Sequence, residues 1–151
     1  MRLQIPGAGR LRLTRAVFDF NGTLAADGRL LPGVGARLRR LARVLDVDVL
    51  TADTFGTAKS ALAAVPVAVR LIRTGSDKRR LVSAHGGGVV AVGNGRNDVA
   101  MFRAAALAVA VIGTEGAAPE AIASANIVVS DVRDAVDLLL RPQRLVATLR
   151  R

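Results

Sequence analysis

Arg15-Ala16-Val17-Phe18-Asp19-Phe20-Asn21-Gly22-Thr23-Leu24 is the stretch that settles the architecture. Arg15 to Phe20 reads as a buried strand. Its apolar residues run on without polar alternation, which is the pattern of a parallel strand covered by helices on either side. Asp19 then stands near the carboxyl end of that strand, and Asn21-Gly22 supplies a turn immediately after it. A carboxylate at a strand tip, ahead of Gly22 and Thr23, can approach an anion because the following backbone N–H groups are free to bind its oxygens. In open parallel sheets ligands collect at such carboxyl ends, so the loop after this strand is where chemistry is expected.

Before this stretch, strands at 1–5 and 11–13 flank the turn Pro6-Gly7-Ala8-Gly9 and predict a short amino-terminal hairpin. After it, residues 24–31 predict a small hairpin around Asp27-Gly28, a favoured two-residue turn. Val34, Leu38, Leu41 and Leu45 then mark one face of a helix over 34–45. From there strands and helices alternate. Strands are predicted at 47–50, 67–72, 89–92, 107–112 and 127–129. Helices are predicted at 54–64, 77–84, 97–106, 117–124 and 132–140, with a basic tail helix from Pro142. Repeated β-α units of this kind predict an α/β fold, with one parallel sheet and helices on both faces.

Composition narrows the function. The 151 residues fit a single domain over 1–151, since domains typically run about 100–200 residues. The absence of cysteine excludes disulfide scaffolds, thiolate metal sites and thiol nucleophiles. The lone histidine, His85, excludes a histidine-rich metal cluster; it reads as a charge at a helix end rather than a catalytic base. No apolar run approaches the ~18 residues of a membrane helix. Residues 1–10 resemble neither a signal nor a transit peptide, so a cytoplasmic location without membrane insertion is expected. The net charge is +10, yet only Lys59 and Lys78 of the 22 basic residues are lysines, a skew that fits compositional bias. The densest arginine groups have no interleaved aromatics and match no nucleic-acid-binding motif, so no specific nucleic-acid partner is expected.

Three polar clusters follow predicted strands: residues 19–24, Thr51-Ala52-Asp53, and Gly93-Asn94-Gly95-Arg96-Asn97-Asp98. Lys78 opens a helix between the second and the third. Thr51 offers a hydroxyl near free helix N–H groups. Lys78 supplies a point charge that holds phosphate and offsets a nucleophile's own charge. Asp98 adds a second carboxylate, and two carboxylates with carbonyls and water suit octahedral Mg²⁺. Singly each feature has a plain structural explanation. In the order acid, hydroxyl, lysine, acid they describe a phosphoryl-transfer site with Asp19 as the covalent nucleophile.

With these motifs the chain resembles the haloacid dehalogenase (HAD) superfamily of phosphohydrolases, most nearly its small soluble members related to the phosphorylation domain of P-type ATPases. Phe18-Asp19-Phe20-Asn21-Gly22-Thr23-Leu24, Leu50-Thr51-Ala52-Asp53-Thr54-Phe55-Gly56 and Gly93-Asn94-Gly95-Arg96-Asn97-Asp98 carry the likeness, which extends over nearly the whole chain. It implies a three-layer Rossmann-like fold without a substantial cap domain, since only a short hairpin fits between Leu24 and Pro32. It implies phosphorylation of Asp19, with phosphate held by Gly22, Thr51, Ala52, Lys78 and Asn97. A Mg²⁺ cofactor would be bound by Asp19, the carbonyl of Asn21, Asn94 and Asp98. The substrate would be a phosphorylated small molecule or nucleotide, and a homo-oligomer would be one way to close a capless site.

Two departures from the superfamily pattern matter. Asn21 stands where most of these phosphatases have a second aspartate serving as general acid and base, and an amide neither gives nor takes a proton at neutral pH. Asn94 stands where many have a metal-binding aspartate. The expectation is therefore slow turnover, with a non-catalytic phosphate-responsive binding module as the alternative. Elsewhere, Asp46 and Asp48 read as edge or strand-entry charges. Asp131, Asp134 and Asp137 read as a solvated helix face, and Glu115 as an auxiliary at the site mouth.

Overall fold

The computed structural model describes residues 1–53 and 56–151. The hairpin β1 (Arg2–Ile5) and β2 (Gly9–Arg12) leads into β3 (Arg15–Asp19). A second, two-residue hairpin follows, β4 (Ala25–Ala26) and β5 (Arg29–Leu30). Its turn residues Asp27 and Gly28 both have positive φ, 50° and 73°, the backbone that a tight two-residue hairpin demands. Then come α1 (Val34–Leu41), β6 (Asp46–Thr51), α2 (Thr57–Ala61), β7 (Ala68–Leu71), α3 (Gly75–Ala84) and β8 (Val89–Gly93). A single 3-10 turn at Arg96–Asp98 precedes α4 (Val99–Ala104), followed by β9 (Leu107–Val111), α5 (Pro119–Ser124), β10 (Ile127–Val129), α6 (Val132–Leu140) and α7 (Pro142–Leu149).

Six strands form one parallel sheet in the order β10-β9-β8-β3-β6-β7. The chain winds outward from β3 through β6 to β7, then returns to the other side of β3 and continues through β8 to β10. The winding therefore reverses between β3 and β8, where a ligand crevice belongs. Successive strand residues face opposite ways, and the two faces are filled differently. Ala16, Phe18, Val90, Val92 and Val109 pack with Leu38 and Leu41 of α1 and Val136 and Leu139 of α6. Val17, Ala91, Ala108 and Ala110 pack with Val82 of α3 and with Met101 and Phe102 of α4. The small alanines on that second face let the bulky α4 side chains lie close against the sheet.

The expected fold class is the observed one, with shifted boundaries. The helix expected over 34–45 ends at Leu41, and Leu45 stays buried in the loop behind it. The helix expected from Thr54 begins at Thr57; Thr54 and Phe55 lie outside the described residues. Helix α3 starts earlier than expected, because Thr74 and Asp77 form a reciprocal capping box ahead of it. Asp48 corrects the sequence reading. It is fully buried in β6 rather than an edge charge, and it accepts from Arg15 Nη1 at 2.5 Å and Arg70 Nε at 3.2 Å. His85, at the end of α3, lies 3.8 Å from the same carboxylate. Among the described residues no helix is long and apolar enough to cross a membrane.

Candidate active site

The strand tips around the reversal point bring the polar clusters together. Lys78, in the first turns of α3, reaches down between β3 and β8. Its Nζ donates to Asp19 Oδ1 at 2.5 Å and to Asp98 Oδ1 at 2.6 Å. All three side chains are buried, Asp98 completely. Asp98 Oδ2 accepts from the backbone N–H of Asn94 at 3.0 Å and of Gly95 at 2.9 Å. This fold-back needs glycine at 93, since a Cβ there would collide with the Asp98 carboxylate. Gly22 meets a similar demand: φ is +75°, and the Asn94 amide and the Glu115 carboxylate crowd the space a Cβ would fill.

Two carboxylates share one ammonium, and the electrostatics follow. Burial, and then the neighbouring Asp98 charge, push Asp19 up to about 7 despite the opposing pull of Lys78. Burial pulls the Lys78 ammonium down, but the two carboxylates outweigh it and hold it above the usual lysine value. With both acids ionised the triad carries one net negative charge in a buried place, which favours an added cation.

Beside the triad lies a cavity of about 140 Å³. Six of the expected residues line it: Asp19, Asn21, Ala52, Lys78, Asn94 and Asn97. Thr51 and Gly22 are buried and are not among the lining residues. Thr51 Oγ1 accepts the Asp53 N–H at 3.0 Å, which leaves its own hydroxyl hydrogen free to donate. Asn94 Oδ1 accepts from Thr23 Oγ1 at 3.3 Å, and its Nδ2 donates to the Gly116 carbonyl at 3.0 Å. The sequence reading missed Ile72, Arg73 and Thr74, which complete the wall from the β7–α3 connection. A signal was present, since these residues also follow a parallel strand. Glu115 accepts the Asp27 N–H at 3.0 Å and so ties the β4–β5 hairpin to the loop after β9. A wider hollow of about 550 Å³ lies against the amino-terminal hairpin, but Arg2, Leu3, Gln4, Arg10, Leu11 and Arg12 give it no acid or nucleophile.

The donor set suits a hard divalent cation. One carboxylate, Asp19, and three amides, Asn21, Asn94 and Asn97, line the cavity, and no group of three or more His, Cys, Asp and Glu residues is gathered for a metal among the described residues. Mg²⁺ commonly takes one or two carboxylates and completes its shell with water and substrate phosphate, so the set fits it better than zinc. Asp98 fits that role less well than the sequence suggested, because it does not line the cavity and its oxygens already accept from Lys78, Asn94 and Gly95.

No protein-family model matches the chain. Over 62 residues it is 50% identical to an uncharacterized protein of Methanocaldococcus jannaschii, covering 41% of this chain and 67% of that protein. Among solved structures it is similar to 3-deoxy-D-manno-octulosonate 8-phosphate phosphatase from Moraxella catarrhalis, in complex with a magnesium ion, a phosphate ion and a KDO molecule. The TM-score is 0.72 at 13% identity, over 91% of this chain and 94% of that one. It is similar also to a HAD family hydrolase from Streptomyces avermitilis, with TM-score 0.67 at 20% identity over 85% and 83% of the two chains. A zinc-transporting P-type ATPase in its E2.Pi state gives 0.64 at 21% identity; the likeness covers 79% of this chain but only 20% of the transporter. The chain belongs to the family of the M. jannaschii protein, and its fold is that of the haloacid dehalogenase superfamily.

Proposed function

We propose that this protein is a Mg²⁺-dependent phosphohydrolase that acts through a phosphorylated Asp19 on a phosphorylated small molecule or nucleotide. The observation that carries the reading is the buried Asp19–Lys78–Asp98 chain beside a small polar cavity at the sheet's winding reversal. The likeness in fold to a phosphatase holding magnesium and phosphate, and to a P-type ATPase, supports it.

Lys78 holds Asp19 Oδ1, which leaves Oδ2 to attack phosphorus. A bond forms from that oxygen to phosphorus, and the bond from phosphorus to the leaving oxygen breaks, its electron pair departing with the leaving group. The Lys78 ammonium offsets the charge of nucleophile and phosphoryl group. The Thr51 hydroxyl and the Asn97 side chain would bind phosphoryl oxygens near Ala52 and Gly22. Asp19, the Asn21 carbonyl and the Asn94 side chain would hold Mg²⁺, which when bound supplies positive charge against the phosphoryl oxygens. Asp98, with both oxygens engaged, positions Lys78 and the loop in this reading. Water then attacks phosphorus, releasing phosphate and restoring Asp19. Asn21 can neither protonate the leaving group nor deprotonate that water, so both steps rely on solvent and are slow.

A second reading, a non-catalytic phosphate- or nucleotide-responsive binding module, is favoured by the two amides at Asn21 and Asn94 and by the partners that already hold the Asn94 side chain. One experiment separates the two. Incubation with Mg²⁺ and acetyl phosphate, followed by intact mass, should show an adduct of about 80 Da, as covalent catalysis by a carboxylate requires. The adduct should vanish in Asp19→Asn. Mg²⁺ and phosphate binding without an adduct would establish the binding module instead.

A further inference from the structure

Arg73 is the one charged residue of the cavity wall that neither reading uses. It is exposed, follows β7 by two residues, and lines the same space as Asp19 and Lys78. Its backbone position is set by the capping box next to it, where Thr74 N–H donates to Asp77 Oδ2 at 3.1 Å. The nearest acid in sequence is nevertheless unavailable to it. Asp77 Oδ2 is held by Thr74, and Oδ1 accepts from Arg80 at 2.8 Å. Asp19 and Asp98 are held by Lys78. Among the described residues Arg73, like most of the arginines, forms no ion pair; what sets it apart is that it alone of them lines this cavity.

The cavity is too small to hold a whole substrate. Its volume of about 140 Å³ is worth roughly four to five waters at about 30 Å³ each. A phosphoryl group and the water around it fill that space, so the rest of a substrate must sit at the mouth. The guanidinium waiting there offers paired N–H donors suited to a carboxylate or phosphate.

We propose that Arg73 is a specificity residue for a second anionic group, so that the preferred ligands are phosphorylated molecules carrying a further phosphate or carboxylate next to the transferred phosphoryl. The inference rests on the phosphoryl site proposed above and names the substrate class of that site. Lys78 takes the first anion inside the cavity, and Arg73 takes the second outside it.

The test compares ligands that differ only in the second charge, by calorimetric titration in the presence of Mg²⁺. Wild-type protein should bind pyrophosphate and phosphoglycolate more tightly than orthophosphate. In Arg73→Ala that preference should fall by about tenfold or more, the scale of a lost hydrogen bond to a charged group. Orthophosphate binding should stay within about twofold, and Arg73→Lys should restore part of the preference, since it keeps the charge but not the fork. Loss with pyrophosphate alone, or with phosphoglycolate alone, assigns the second group as phosphate or carboxylate. Equal binding of all three by wild type, or an equal loss of all three in Arg73→Ala, overturns the inference. The phosphoryl site itself fails on a different result: no orthophosphate binding in wild type and no Asp19-dependent adduct from acetyl phosphate.

Discussion

Asp19→Asn should make the metal-free protein more stable while abolishing its phosphorylation. Asp19 is 8% exposed and lies within reach of a second carboxylate, so ionising it works against folding. Its ordinary value of 3.8 is pushed up to about 7. The folded state therefore holds this proton where the unfolded chain has lost it, and stability falls as pH rises from about 4 to about 7, then levels off. At about 1.4 kcal/mol per pH unit, that displacement sets an upper bound of roughly 4 kcal/mol by pH 8. Relaxation around the ion pair lowers it, and about 2–4 kcal/mol is expected. Asparagine is close in size to the neutral acid, and Lys78 keeps its bond to Asp98. Urea unfolding of both proteins in EDTA, at pH 5 and pH 8, isolates the effect as the difference between them. The variant should gain most at pH 8 and less, roughly 1–2 kcal/mol, at pH 5, where the wild type has passed through only part of the fall. Added Mg²⁺ should stabilise wild type and leave the variant unmoved. A variant less stable than wild type at pH 8, or a gain equal at both pH values, would refute the idea that Asp19 is a buried charge awaiting a cation.

Other changes test the remaining parts of the site. Asn21→Asp should speed decay of the phosphorylated protein by about 10²–10⁴-fold, the usual worth of a placed proton carrier; unchanged decay by intact mass over time would place Asn21 elsewhere than beside the reacting water. Asp98→Asn should lower stability by about 2–4 kcal/mol, because three donors now meet a group with one acceptor oxygen. It should also lower Mg²⁺ affinity by about 10–100-fold without abolishing it, as expected of an outer-shell partner that holds the Asn94 loop; calorimetry that finds no Mg²⁺ binding at all would make Asp98 a direct ligand instead. Asp48→Ala should cost about 1–3 kcal/mol, the scale of lost hydrogen bonds to charged groups, since Arg15 keeps Asp46 and Arg70 reaches solvent, with the yield of the Asp19 adduct unchanged at a temperature where the variant stays folded.

Much of this arrangement was legible because it depends on strand ends. The apolar run ahead of Asp19 and the polar clusters after β6 and β8 fix which residues meet once the sheet is parallel. The topology that places β3 beside β8 came only with the family resemblance, since nothing in Val89–Gly93 says which neighbour it takes. Asp48 was misread for a physical reason. An acid between apolar residues looks like a surface position until Arg15, 33 residues away, and Arg70, 22 residues away, are seen to neutralise it. Asp98 was read as a metal ligand because two carboxylates with carbonyls and water suit Mg²⁺; its bonds to Lys78, Asn94 and Gly95 depend on the loop's fold-back, which spacing does not reveal. Arg73 escaped notice because a chain with 20 arginines gives no reason to single one out.

The strand order also has a kinetic side. Asp19 waits 59 residues for Lys78, and Lys78 a further 20 for Asp98. At about 5–20 residues per second on the ribosome, that interval lasts several seconds. Until β8 arrives, β3 lacks one of its two neighbours, and its Ala16-Val17-Phe18 core has nothing to bury it on that side. The nascent chain is then an open sheet edge carrying an ordinary, fully hydrated carboxylate. Only when residue 98 docks are both causes of its raised pKa, burial and the Asp98 charge, in place, while β8 remains the new open edge until β9 is made.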